Sequence, residues 1–442
     1  MKRLGALCLA LVLAILPEGA LGEKVDSFPA LFKVQYTMEE REVLNAKGFV
    51  SKDHITTALT KVDDEINGLV DQFDEAMSGK MQPASKPRRN SRLDIHVVHT
   101  RSGDSCLSFL VMARESYNRK QVRSPIAGCV FDMETGEKVT LSDLFEEESE
   151  AWDVLAETVY DELSAYYPKD KANEEALRNL CTREELQNTP FMLGPVCLTL
   201  HYEASEIYPG RATLMKVTVP YHSLQGMMTE YGQRQTDNGK YKMVALTFDD
   251  GPAYETTATL LNNLRQHGAV GTFFLVGNRI EEFADIVMRE NDENHSLQSH
   301  HYVHTDTSKS TIPRIQAYTE RMYNVMTETF GLGPWMLRAP YGVFDYFIKA
   351  KVNLPLIEWD VDTKDWTGKT SAAVMSVVKN ETKDGSIILM HDIKDNTPES
   401  ARLAAQWLYD HGYMCVTMED LFIAQRQEMI PNRIYYRIDP GE

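Results

Sequence analysis

From residue 243 onward the chain alternates short, largely apolar runs with stretches of helical period, and this constrains its fold more than any other feature. The runs fall at 243–247, 272–276, 357–361 and 386–390. They lack the in-out alternation of a half-exposed strand, so they predict strands buried on both faces, as in a parallel sheet covered by helices. Between the first two, residues 256–266 place Leu260, Leu261 and Leu264 on one side of a helix, and Gly268 ends it. Repeated strand–helix units of this kind imply an α/β fold, and its natural closed form is a (β/α) barrel. Side chains with chemistry are then expected at the carboxyl ends of the strands.

The preceding half reads differently. Strand-like stretches at 93–98, 106–114, 196–202 and 212–219 surround a helical stretch at 148–167, where Trp152, Leu155, Val159 and Leu163 share a face. This is the pattern of a smaller α+β domain, and 442 residues are enough for two or three domains. The expected division is a signal peptide at 1–22, an α+β module at 23–232, a polar linker at 233–240 and a catalytic domain at 241–442. A subdomain break near 80–92, where Pro83 and Pro87 fall among basic residues, is a further expectation.

The signal is read from Lys2 and Arg3, an apolar stretch at 4–16 and the small residues Ala20 and Gly22. It implies a secreted or cell-wall-associated protein, with no stable membrane insertion once the signal is removed. A formal net charge of −19 argues against nucleic acid as a partner. Cys106, Cys129, Cys181, Cys197 and Cys415 have no metal-ligand spacing, and either disulfides or free thiols are compatible with them. The sequence does not fix an oligomeric state.

Chemistry-bearing residues gather at the ends of the predicted strands. Asp249-Asp250-Gly251-Pro252 follows the first. His300 and His304 stand four residues apart, a spacing that on a helical turn lets two imidazoles share one metal ion. Arg338-Ala339-Pro340-Tyr341-Gly342 puts a cation in a turn, and Asp365-Trp366 and Leu389-Met390-His391 follow apolar runs.

In order and spacing these five clusters resemble the NodB-type polysaccharide deacetylases of carbohydrate esterase family four, over about residues 241–425. Thr247-Phe248-Asp249-Asp250-Gly251-Pro252 matches that family's first motif completely, and His295 stands where the family often has a histidine. The chain departs from the pattern at His301, where the family usually has Ser or Thr. His301 is expected to replace that contact, face substrate or compete as a ligand. Upstream, residues 140–145, 198–204 and 217–224 resemble the extracytoplasmic module of PdaC/RsiV type.

The resemblance implies a distorted (β/α) barrel of NodB type that removes N-acetyl groups from a glycan. Asp250, His300 and His304 would hold one divalent metal ion, zinc first, with cobalt or manganese as alternatives. Asp249 would be the general base and Arg338 the cation orienting it. His391 would be the general acid, held by Asp365. The N–H of Tyr341 would bind the oxyanion, and Trp366 and Leu389 would line an acetyl pocket. Peptidoglycan is the expected glycan partner. The other readings are an O-deacetylase of xylan, a chitin deacetylase, or a catalytically silent wall-binding or lysozyme-sensing protein.

Overall fold

The computed structural model describes residues 24–43, 48–81, 91–117 and 120–439. The expected signal peptide and most of the stretch at 80–92 lie outside them. No helix among the described residues is long and apolar enough to cross a membrane.

The amino-terminal module is built on a sheet of seven strands: β1 (Gln35–Val43), β2 (Gly48–Thr56), β3 (Ser91–Ser102), β4 (Cys106–Tyr117), β5 (Lys120–Arg123), β6 (Ile126–Asp132) and β7 (Glu137–Val139). Its order is β1-β2-β3-β4-β6-β7, with β5 added to β4. Helix α1 (Thr60–Met77) buries Val62, Ile66 and Val70 against Leu93, Ile95, Phe109 and Val111 of that sheet. The subdomain break expected near 80–92 is therefore corrected. Parallel pairing of β2 with β3 carries one sheet across it, and α1 covers strands from both sides.

A second sheet contains β8 (Phe191–Leu193), β9 (Cys197–Glu203) and β10 (Leu214–Pro220), in the order β10-β9-β8. Helix α2 (Ala151–Ala165) packs on it through Trp152, Leu155, Val159 and Leu163, the face read from the sequence. All five described cysteines are free thiols.

The stretch expected to be a polar linker is instead folded onto the module. Helix α3 (Glu230–Thr236) brings Gly232 against the backbone of Leu144, with no room for a Cβ. Gln235 and Asn238 are buried and hydrogen-bonded to Ser102, Gly103 and Ser105.

The carboxyl-terminal half is a ring of parallel pairings. Its strands are β11 (Lys242–Asp249), β12 (Thr272–Leu275), β13 (Ser296–Ser299), β14 (Leu356–Ile357), β15 (Val361–Asp362), β16 (Ile387–His391), β17 (Tyr413–Val416) and β18 (Ile434–Tyr435). The order β13-β12-β11-β16-β15 is extended by bridges from Ser299 to Leu337 and from Leu337 to Leu356. Residues 356–362 thus touch Leu337 at one end and β16 at the other, and the ring closes. The run expected as one strand at 357–361 appears as two short strands because its ends pair with different neighbours. The β17 strand adds to the base of β11, and β18 pairs with β14.

Alternation along the strands separates two cores. Leu246, Phe248, Phe273, Leu275, Ile388 and Met390 face outward. They meet α4 (Tyr254–Arg265), α6 (Ile312–Phe330), α7 (Ser371–Glu381) and α8 (Thr397–Asp410), while α5 (Ala284–Asp292) leads into β13. Ala245, Phe274, Met336, Ile357 and Ile387 face inward and form an apolar floor. Thr247, Asp249, Leu389 and His391 have the inward parity but lie further along their strands, above that floor.

Candidate metal centre and acid–base site

The first two carboxylates diverge because the chain turns sharply where β11 ends. Asp249 is the last residue of the strand, in register with Phe274 and His391. Asp250 takes a left-handed backbone conformation, φ +77°, which Asp tolerates better than most residues. Adjacent side chains thereby point to different partners. Asp249 accepts a hydrogen bond from Arg338 Nη1 at 2.8 Å, whereas Asp250 Oδ1 lies 3.5 Å from His300 Nε2 and 3.1 Å from His304 Nε2.

Asp250, His300 and His304 bring one ligand atom each to within 4.8 Å of one another. The chemistry of this set fits a cation. His300 Nδ1 donates to the carbonyl of Arg338 at 2.9 Å, which fixes the proton there and leaves Nε2 with a lone pair. Burial lowers the proton affinity of His304, which favours the neutral, ligating form. Asp250 Oδ1 is itself buried without a hydrogen-bond partner. Lone pairs on His300 Nε2 and Asp250 Oδ1 therefore converge beside His304 Nε2, which can offer a third, and such a set suits a cation.

Residues 300–304 do not form the helical turn expected from their spacing. They form a loop bent at His301, φ +69°, and the two ligand rings still approach, with centroids 5.1 Å apart. The bend turns His301 away from the cluster into a slot between Tyr318 and Phe347. Burial pushes its pKa down to about 4, so it remains neutral there. His295 is also remote from the cluster, and its Nδ1 accepts from the backbone of Gly271.

Arg338 is fully buried, and each of its three guanidinium nitrogens has an acceptor. Besides Asp249 it donates to Thr247 Oγ1 and to the carbonyls of Ile357 and Glu358, with the guanidinium 4.2 Å over the Phe274 ring. Such a fork leaves Asp249 little rotational freedom.

Opposite, Asp365 Oδ1 accepts from His391 Nδ1 at 2.8 Å, and Oδ2 accepts from the His391 backbone N–H and from Thr397. Burial opposes charge on His391, but Asp365, Asp249 and Asp250 outweigh it and raise its pKa above the ordinary imidazole value. With the Nδ1 proton engaged, Nε2 is the atom free to exchange a proton with a reacting group.

The remaining expected residues surround these groups. Tyr341, φ +60°, is 66% exposed and lays its ring 4.6 Å from that of His304. Trp366 is 53% exposed and directly follows Asp365. Leu389 is buried on the same face of β16 as His391 and joins neither the floor nor the outer core.

Two carboxyls beside this site escaped the sequence reading. Asp392 is fully buried, accepts from Thr257 Oγ1 at 2.6 Å, and is pushed up to about 7, chiefly by burial. It presses against Gly251, where a Cβ would come within 2.1 Å of its carboxylate. Glu358, also pushed up to about 7 by burial, lies against Gly342 beside the Arg338–Asp249 pair. The only sequence signal for Asp392 is its place after His391, and Glu358 has none.

Two hydrogen-bonded pairs, Asp249 with Arg338 and His391 with Asp365, flank a cluster that could hold a metal ion at the mouth of a parallel ring, an arrangement compatible with a hydrolase. The profile of the polysaccharide deacetylase family matches residues 236–354. A peptidoglycan-N-acetylglucosamine deacetylase of Bacillus cereus is 33% identical over 193 residues, 40% of this chain and 69% of that protein. The chain belongs to the polysaccharide deacetylase family and is a deacetylase. PgdA of Listeria monocytogenes, a peptidoglycan-N-acetylglucosamine deacetylase, is 28% identical over 317 residues. That alignment covers 70% of this chain and 67% of PgdA, more of this chain than residues 241–442 alone supply. The solved structure of T48 deacetylase with substrate is 34% identical and covers 45% of this chain and 99% of that one, with a TM-score of 0.43.

Proposed function

We propose that this protein is an exported, metal-dependent deacetylase that hydrolyses N-acetyl groups of peptidoglycan. The observation that carries the reading is the convergence of Asp250, His300 and His304 between two opposed proton-transfer groups, Asp249 on Arg338 and His391 on Asp365. Amide hydrolysis requires a proton taken from water and another given to the departing nitrogen.

Asp250, His300 and His304 would hold a divalent ion, zinc first among the candidates. Such an ion, when bound, would supply Lewis acidity to the water and to the acetamide carbonyl. Asp249, kept in place by Arg338, removes the proton from the attacking water. The Tyr341 N–H donates to the developing oxyanion. His391, charged and oriented by Asp365, gives its Nε2 proton to the leaving amine. Leu389 and Trp366 line the pocket for the acetyl methyl.

Peptidoglycan is favoured as substrate because the two curated relatives described above act on it, one of them along most of this chain's length. Acetate release from a defined panel tests this. Release from N-acetylated peptidoglycan fragments above that from chitin oligomers and acetylated xylan is expected. Preference for acetylated xylan would overturn the N-deacetylase reading.

A further inference from the structure

Two strands carry the proposed metal ligands, β11 with Asp250 at its end and β13 with His300 and His304 beyond it. Both enter the ring from segments gripped by the amino-terminal module. Ahead of β11, Gln235 and Asn238 are buried against Ser102, Gly103 and Ser105.

Ahead of β13, the grip falls on residues 291–295. Asn291 Nδ2 donates to the Leu214 carbonyl at 2.8 Å, and Gln121 donates to Asp292 at 3.2 Å. His201 Nε2 lies 3.1 Å from Asn294 Oδ1. Lys216 Nζ reaches the carbonyls of Asn291 and His295 at 3.1 and 3.3 Å. Glu293 is tied indirectly, through Arg265, which lies 3.0 Å from Asp53 of β2. The next residue, Ser296, begins β13, and His300 follows that four-residue strand.

We propose that the module is a positioning clamp for the metal centre. It fixes the bases of β11 and β13, and through those short strands the spacing of Asp250 from His300 and His304. The inference rests on reading those three residues as ligands. Lys216 is its most direct positioning residue: one ammonium bridges two carbonyls that bracket the turn into β13. A four-residue strand spans about 13 Å, short enough for a displaced base to be felt at its tip. The module is thus part of the catalytic unit rather than a detachable arm.

The test uses the full-length chain and cobalt(II) as probe. Its visible absorption reports both occupancy and ligand geometry. Lys216→Met is expected to weaken cobalt binding by about tenfold, the low end for lost support around a ligand, and to alter the spectrum. Lys216→Arg, which keeps the donors, is expected to restore both. Asn238→Ala, an independent lesion at the base of β11, is expected to act in the same direction. Cobalt affinity and spectrum unchanged in both Lys216→Met and Asn238→Ala would overturn the clamp, even if both variants melt earlier. Hydrogen exchange of residues 296–299 in the metal-free protein separates the two claims. If the wild type binds no cobalt, the metal reading fails, and faster exchange in Lys216→Met still supports the clamp while unchanged exchange overturns it.

Discussion

Asp249 and Asp250 are neighbours with the same side chain, and their surroundings give them different work. A left-handed residue at 250 is enough to send one carboxylate to Arg338 and the other to two imidazoles. Asp249→Asn removes the proposed base while leaving the proposed ligand cluster, so metal content should persist while the rate falls at least roughly 10²-fold. Arg338→Met should do more harm. It strands a buried carboxylate, a lesion of about 3–5 kcal/mol, visible as a lowered urea midpoint beside the lost activity.

The pH profile carries a second residue-scale prediction. As the proposed acid His391 must be protonated, so activity should be lost as pH rises through its pKa. Asp365 contributes to raising that pKa. Asp365→Asn should therefore move the basic limb to lower pH, read from kcat/KM against pH. An unmoved limb would assign that ionisation to another group. At this scale the sequence was most legible, since the motif residues occur in short clusters at strand ends. Asp392 and Glu358 were not legible, because what marks them is proximity to Gly251 and Gly342 in space.

Among the elements, β13 teaches the most about what a sequence conceals. Ser-Leu-Gln-Ser has no apolar run, yet all four residues are buried in a parallel strand. Every polar side chain that could disfavour burial has a partner. Ser296 and Gln298 both donate to Glu419, Gln298 Oε1 accepts from the backbones of Trp335 and Met336, and Ser299 Oγ accepts from the His301 N–H. These partners lie up to 123 residues away, beyond any window of periodicity. Gln298→Leu keeps the bulk but orphans two backbone donors and part of Glu419. It should destabilise the fold by about 2–4 kcal/mol in denaturant unfolding, although leucine is the more usual strand residue. The apolar runs of β11, β12 and β16 were legible because they bury outward and inward cores at once. The loop at 300–304 was misread as a helical turn because four-residue spacing cannot register the reversal at His301.

For the whole molecule, the boundary between halves is a sealed polar interface. Arg265 and Arg289 of the barrel layer face Glu293, and Asp53 of the module reaches Arg265 and His96. Each of these groups is nearly inaccessible to water, so parting the halves would break the Arg265–Asp53 ion pair and open a buried polar surface to solvent. A fragment beginning near residue 235 carries every proposed catalytic side chain yet exposes that surface. The metal-free full-length protein is expected to unfold in one transition, with Trp152 in the module and Trp366 near the site reporting the same midpoint. Two separated midpoints would mean independent halves. This arrangement could not be read from the sequence, because its partners lie in segments that looked like separate domains.

The proposed function depends on metal-assisted amide hydrolysis at the Asp250–His300–His304 cluster. Its most direct test is acetate release from an N-acetylglucosamine oligomer by the full-length protein after chelation, after reloading with one equivalent of zinc, and in His304→Ala treated identically. Activity should be lost on chelation and recovered on reloading, and His304→Ala should show neither zinc retention nor activity. Acetate release that survives chelation, or a His304→Ala protein that reloads and turns over like the wild type, would contradict it.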